Sequence, residues 1–305
     1  MTRRIWKIGQ VWFSMLAFLT VGMFAAQAAE FDRPSTDGSM TDAMKAACTA
    51  DKSPKIKQIL DRGKLSWALG LAPPFGFRQQ DGNYGGIEVD NARELAHMLG
   101  VEVDIQDYDY NLLPTAIATG QADIIGAELF ITEQRAKVID YSDVYFVAGQ
   151  LFFVLKDSKF NTVEDLNSPD NRFIHEIGGG QVEMAEKLTP NAPIRLVPKR
   201  GIFLVGYDFI KAGEADSTAF EGHYYPVFKK EYPDLVAIGK EGRIEDAPAD
   251  PEKMLYPFDI GFGLPKGDAG WKACIDAYVA DLLNSGRLQD RINYWAVSMG
   301  SATTE

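Results

Sequence analysis

Between Lys64 and Ala127, short apolar runs alternate with amphipathic ones in the order β-α-β-α-β, and no other feature limits the fold as strongly. Residues 64–71 read as a strand. Ala92, Leu95, Ala96 and Leu99 recur at helical spacing and Gly100 stands just past them, so a helix is predicted to stop there. Val101, Val103 and Ile105 alternate as a second strand, 112–119 is helical with Gly120 as its stop, and 122–127 is a third strand. Strands that alternate with helices in this way pair in parallel and are covered by the helices. The alternation then recurs, with strands at 173–177, 194–197 and 216–220 and helices over 182–188 and 203–212. An apolar run at 150–155 separates the two units. An apolar strand at 259–265 and helices over 271–283 and 288–295 finish the chain. Two α/β lobes of similar design are predicted.

Outside this pattern the N-terminus stands apart. Arg3, Arg4 and Lys7 precede a short apolar run at 11–26, and Ala26-Gln27-Ala28 has the small residues of a cleavage site. Residues 1–28 therefore read as a secretory signal peptide, with a retained anchor as the other reading. Its removal takes three basic residues and moves the formal net charge from −12 to −15. So acidic a chain, with no basic stripe, is a poor partner for nucleic acid or anionic lipid. Residues 29–63 form an extension that holds a helical pattern on Met40, Met44, Ala47 and Cys48. A second helix there starts at Ser53-Pro54 and stops at Gly63. Cys48 and Cys274 are the two cysteines, and in an oxidising compartment they would tie the ends of the chain together; two buried thiols are the alternative. His97, His175 and His223 are scattered without second ligands at metal spacing, so neither metal nor cofactor is expected.

The stretch 123–135 draws a functional reading. It leaves the third strand, turns, and restarts as a helix with Thr132 as the N-cap. Arg135 falls in that first turn, where the helix dipole is already positive. A cation there is mildly unfavourable unless an anion binds beside it, and helix N-termini at strand ends suit anions. A solvated surface arginine is the competing reading.

At Gly86-Ile87-Glu88-Val89-Asp90 the chain resembles the family-3 extracellular solute-binding proteins, the amino-acid receptors of bacterial ABC importers. The likeness runs from about Gly63 to about Ala296. It takes in the Pro73-Pro74-Phe75 loop, Ile131 to Arg135, Asp140-Tyr141-Ser142-Asp143, the 178–181 turn, Gly286 and Tyr294-Trp295. The resemblance implies a type II periplasmic-binding-protein fold, each lobe a mostly parallel sheet flanked by helices and the two joined by hinge strands near Phe153 and Phe258. Lobe 1 is then 64–153 with 258–305, and lobe 2 is 154–257. Ligand binds in the cleft, and the lobes close over it.

The resemblance also implies roles. Arg135 matches the arginine that clamps the ligand α-carboxylate, for which a planar fork is well shaped. Glu221 matches an acid that receives the ligand ammonium, and Gly179, Gly180 and Gln181 form the turn whose amides help hold the carboxylate. Several positions depart from the family pattern. Phe130 replaces a ligand-contacting serine or threonine, Glu128 falls near a small residue, Ala72 replaces an aromatic, and Asp109 stands where an aromatic wall would be. Phe75, Phe130 and Phe220 are wall candidates that could equally be core. An arginine beside up to three carboxylates leaves surplus negative charge, and burying it unpaired costs several kcal/mol. An amino acid or derivative with an added cationic or donor group would offset it, unless Glu128 or Asp109 faces solvent.

These readings describe a periplasmic, monomeric, non-enzymatic receptor that delivers its ligand to an inner-membrane ABC permease. Two alternatives stand behind it: an accessory protein of a periplasmic redox enzyme, and an enzyme like the cyclohexadienyl dehydratases. Against the enzyme, the lobe-2 turn reads Gly-Gly-Gly-Gln where the dehydratases resemble Gly-Gly-Thr-Asn.

Overall fold

The computed structural model describes residues 33–198, 202–245 and 251–302; the signal-peptide reading lies outside them. None of the described helices is long and apolar enough to cross a membrane.

The chain enters through two capped helices, α1 (Asp42–Ala47) and α2 (Pro54–Arg62). Ser53 accepts from the amide of Ile56, and Gly63 closes α2 in the left-handed conformation, as its sequence position implied. Next come β1 (Lys64–Gly70), a hairpin of β2 (Phe77–Arg78) and β3 (Tyr84–Gly85), α3 (Ile87–Leu99), β4 (Glu102–Tyr108), α4 (Leu113–Ala118), β5 (Ile124–Gly126), α5 (Glu133–Ala136) and β6 (Asp140–Tyr141). Strand β1 pairs in parallel with β4 on one side and β5 on the other, the predicted β-α-β-α-β unit. Gly86 makes the junction into α3 possible. Its φ is +120°, and a Cβ there would lie 2.4 Å from the carbonyl oxygen of Phe75. The Pro73-Pro74-Phe75 loop is thus clamped on the start of α3, where the amides of Ile87 and Glu88 donate to Pro74 and Phe75.

The second unit comprises β7 (Phe146–Leu155), α6 (Val163–Leu166), β8 (Phe173–Glu176), α7 (Gln181–Leu188), β9 (Ile194–Val197), α8 (Ile202–Lys211), β10 (Thr218–Glu221), α9 (Tyr225–Glu231), β11 (Leu235–Gly239), β12 (Gly242–Ile244) and β13 (Leu255–Ile260). The parallel pairing expected here is present between β8 and β9. The sheet around the ten-residue β7 is antiparallel, in the order β10-β7-β11-β12, with β13 also antiparallel to β7. The lobe is therefore more mixed than the helix–strand alternation suggests, because one long central strand serves as template for three returning segments.

After β13 the chain returns through β14 (Gly263–Leu264), which joins the first sheet between β5 and β6, and ends in α10 (Ala269–Asn284) and α11 (Arg287–Ala302). Phe146 to Ala148 pair with Ile260 to Phe258, where we propose that the chain crosses between lobes; Phe153 lies deeper, paired with Thr218 and Ala237. The predicted disulfide is formed: Cys48 and Cys274 are bonded, with Cα atoms 4.8 Å apart, and tie α1 to α10. Buried polar groups on α3 dock it against the C-terminal helices. Asn91 and Glu94 meet Arg291, and Asp90 accepts from the indole of Trp295 at 2.7 Å.

Candidate functional site

The segment from β5 to α5 supplies one side of the candidate site. Thr132 caps α5 by accepting from the amide of Arg135, which directs that side chain inward, where it is only 8% exposed. Its guanidinium donates to the carbonyl of Phe130 at 3.0 Å and, across the cleft, to the carbonyl of Gly178 at 2.7 Å. A solvated surface arginine is thereby ruled out. Tyr141 donates to the same Phe130 carbonyl. Burial pulls the Arg135 guanidinium below its ordinary pKa, with Tyr141, Tyr110 and Glu176 acting in the opposite direction.

The second-lobe side comes from the β8–α7 turn and the end of β10. Glu221 is buried and its carboxylate accepts from Gln181 at 2.8 Å, while Gln181 also donates to Gln150. Burial pushes the Glu221 carboxyl up to about 7, with Gln181 acting against the rise. The glycines of the turn are needed for approach between lobes. A Cβ on Gly178 would fall 2.7 Å from the amide of Asn111, and one on Gly180 would fall 2.3 Å from the ring of Phe130. Gly179 lies over the ring of His175, whose pKa burial lowers to about 4.

Arg135, Glu221 and Glu128 all act on Tyr110. The Tyr110 phenol donates to Ala127 at 2.8 Å; burial raises its pKa well above the ordinary value, Glu128, Glu176 and Glu221 raise it further, and Arg135 lowers it. Glu128 does not face solvent. It is 3% exposed, it has φ of +48°, and its amide donates to Glu88 at 3.3 Å. One carboxylate oxygen accepts from Tyr224 at 3.3 Å, and the other lies 3.7 Å from Nε2 of His223. Burial first, then the neighbouring Glu221 charge, holds the Glu128 carboxyl well above the usual range.

The remaining positions sort by neighbourhood. Phe130 stacks on Phe258 with ring centroids 4.6 Å apart, so its ring fills the space between β13 and Gly180. Phe75 is buried with its ring against Phe146 and His223. Phe220 packs with Tyr224 and Phe228 on the second lobe. Ala72 is half-buried in the loop before Phe75 and accepts from the amides of Phe75 and Gly76. Asp109 is half-buried in the turn that opens α4, where its carbonyl accepts from Leu112. Sequence reasoning missed His223 and Tyr224 as partners of Glu128, and Glu88 as the group that holds the Glu128 amide. The position of His223-Tyr224 directly after Glu221 and Gly222 was the available signal.

Residues 68–298 match the family model of bacterial extracellular solute-binding proteins, family 3. The chain belongs to that family. Among its relatives, an arginine-binding extracellular protein, ArtP, of Bacillus subtilis is 33% identical over 133 residues, 43% of this chain and 51% of the relative, so the match spans about half of that protein. A glutamine-binding protein of Geobacillus stearothermophilus is 28% identical over 70% of this chain and 80% of its own length. A cyclohexadienyl dehydratase of Pseudomonas aeruginosa is 24% identical over 79% of this chain and 85% of its own. In structure, a P235GK mutant of ArgBP from T. maritima superposes with a TM-score of 0.66 at 31% identity, covering 79% of this chain and 98% of that one. The solute-binding protein described here therefore has the type II two-lobed fold, with amino-acid-binding proteins as its relatives.

Proposed function

We propose that this solute-binding protein captures an α-amino acid, or a molecule derived from one, between its lobes and delivers it to an inner-membrane ABC permease. It would work as a monomer in the periplasm. Arg135 clamps the ligand carboxylate with the Gly179 and Gly180 amides beside it, and Glu221, held by Gln181, receives the ammonium. Phe75 and Phe130 line the apolar part, with Ala72 and Asp109 at the first-lobe rim.

One observation supports this reading: the Arg135 guanidinium and the Glu221 carboxyl are both buried and both act on the Tyr110 phenol, in opposite directions. A zwitterion complements that pair, and closing on it would satisfy both charges at once. A thermal-shift screen of refolded, ligand-stripped protein against α-amino acids tests it. A ligand at a hundred times its dissociation constant should add about 2.7 kcal/mol, and Arg135→Ala should remove the shift. A screen without any shift, or a full shift in the variant, counts against the reading.

A second reading has one observation in its favour. Burial, then the neighbouring Glu221 charge, pushes the Glu128 carboxyl well above the usual range, in the direction a general acid needs, and one relative is a dehydratase. Turnover of a cyclohexadienyl substrate, abolished by Glu128→Gln, would establish it; its absence leaves the receptor.

A further inference from the structure

Among the described residues, Oε1 of Glu128 and Nε2 of His223 are buried without a hydrogen-bond partner. They come from opposite lobes and lie 3.7 Å apart, too far to bond to each other. One heavy atom set about 2.9 Å from each would complete both, since that distance closes a triangle on the observed base. Ionised beside a bound cation, the Glu128 carboxylate accepts only, and a neutral imidazole accepts at whichever nitrogen lacks the proton. A group that bridges the two should therefore donate two hydrogen bonds from one nitrogen or oxygen. A primary ammonium or the terminal nitrogen of a guanidinium does so. The walls fit a cation too: the rings of Phe75 and Phe146 lie 6.2 and 6.0 Å from the imidazole, edge-on to it, and aromatic surface is a favourable neighbour for positive charge.

We propose that Glu128 and His223 form a second subsite, distinct from the Arg135 and Glu221 pair, that takes the distal ammonium or guanidinium of a diamino-acid ligand. The inference rests on the receptor reading, because the α-carboxylate and α-ammonium must first be held elsewhere. Tyr224 positions Glu128 by donating to its other oxygen at 3.3 Å, and Glu88 holds the backbone beneath it. Closing the lobes brings the two halves of the subsite together, so a ligand that reaches it would favour the closed form over one that does not.

Calorimetric titration of the full-length, ligand-stripped protein with arginine, citrulline, lysine and norleucine tests the subsite. Citrulline keeps the length of arginine and norleucine the carbon chain of lysine, each without the distal charge. In the wild type the cationic member of each pair should bind at least tenfold tighter. Glu128→Gln should weaken arginine at least tenfold and citrulline no more than threefold, so that the preference collapses. His223→Phe, which keeps an aromatic ring against Phe75 and Phe146, should weaken arginine at least fivefold and is an independent reading should the first variant not fold. Equal affinities within both wild-type pairs would overturn the subsite while leaving amino-acid capture intact. Failure of all four to bind would overturn the subsite, and a thermal shift with any other α-amino acid would leave amino-acid capture standing.

Discussion

Glu128 is an L-residue held at φ of +48° in a buried turn, and the backbone there should reveal its strain when the side chain is removed. The informative pair is Glu128→Gly and Glu128→Ala. Both delete the carboxylate and leave nearly the same cavity, so transfer and cavity contributions largely cancel between them. What remains is backbone. The left-handed conformation costs a residue with a Cβ roughly 1–2 kcal/mol and costs glycine almost nothing. Glycine loses about 0.4–1 kcal/mol more than alanine through the entropy of its unfolded chain. The difference leaves Glu128→Gly more stable by about 0.5–1 kcal/mol, the reverse of the order at an unstrained position. Urea denaturation of both variants, ligand-stripped and at one pH, would read this as a higher midpoint for glycine at equal slope. A more stable alanine variant would refute the strain, and with it the idea that the side chain is held in the cleft against a local cost. Strained residues of this kind cluster at binding sites, where surrounding structure holds them in place.

The Glu221 carboxyl, raised to about 7 by burial, keeps its proton in the native state up to that pH, whereas the unfolded chain loses it near 4.5. The native state binds more protons in that window, so this group's contribution to stability falls as pH rises; Glu221→Gln should gain on the wild type by about 3 kcal/mol between pH 4.5 and 7. A difference independent of pH in paired denaturation curves would contradict the assignment. The Cys48–Cys274 bond closes a separation of 226 residues, and a Cys48→Ser, Cys274→Ser double variant should lose up to about 5 kcal/mol on the chain-entropy account. An unchanged midpoint in denaturant would show that helix packing alone fixes α1 on α10.

The first lobe was largely legible because its signals are local. The Ser53 cap, the Gly63 and Gly100 stops and the apolar faces between them each act over one turn, and the structure has all of them. The β2–β3 hairpin and the antiparallel sheet on β7 were not read, since two-residue strands carry no period and pairing direction depends on where a distant segment returns. At the site, the Thr132 cap before Arg135 and the glycine turn that leads into the helix at Gln181 were legible. The meeting of Glu128 with His223 and Tyr224 was not, because it is made by residues about 96 positions apart on different lobes. The absent Cβ of Gly180 leaves room for the ring of Phe130, a contact between positions fifty apart that no local signal in the sequence discloses.

Calorimetric comparison of the tightest-binding amino acid with its own α-carboxamide tests the carboxylate clamp most directly. The amide keeps the size and the ammonium and removes only the negative charge that Arg135 would meet. Hydrogen bonds to charged groups contribute about 1.5–3 kcal/mol each, so the amide should bind on the order of a hundredfold more weakly. Equal affinity for acid and amide would mean that the Arg135 guanidinium holds the lobes through Phe130 and Gly178 and takes no part in gripping the ligand.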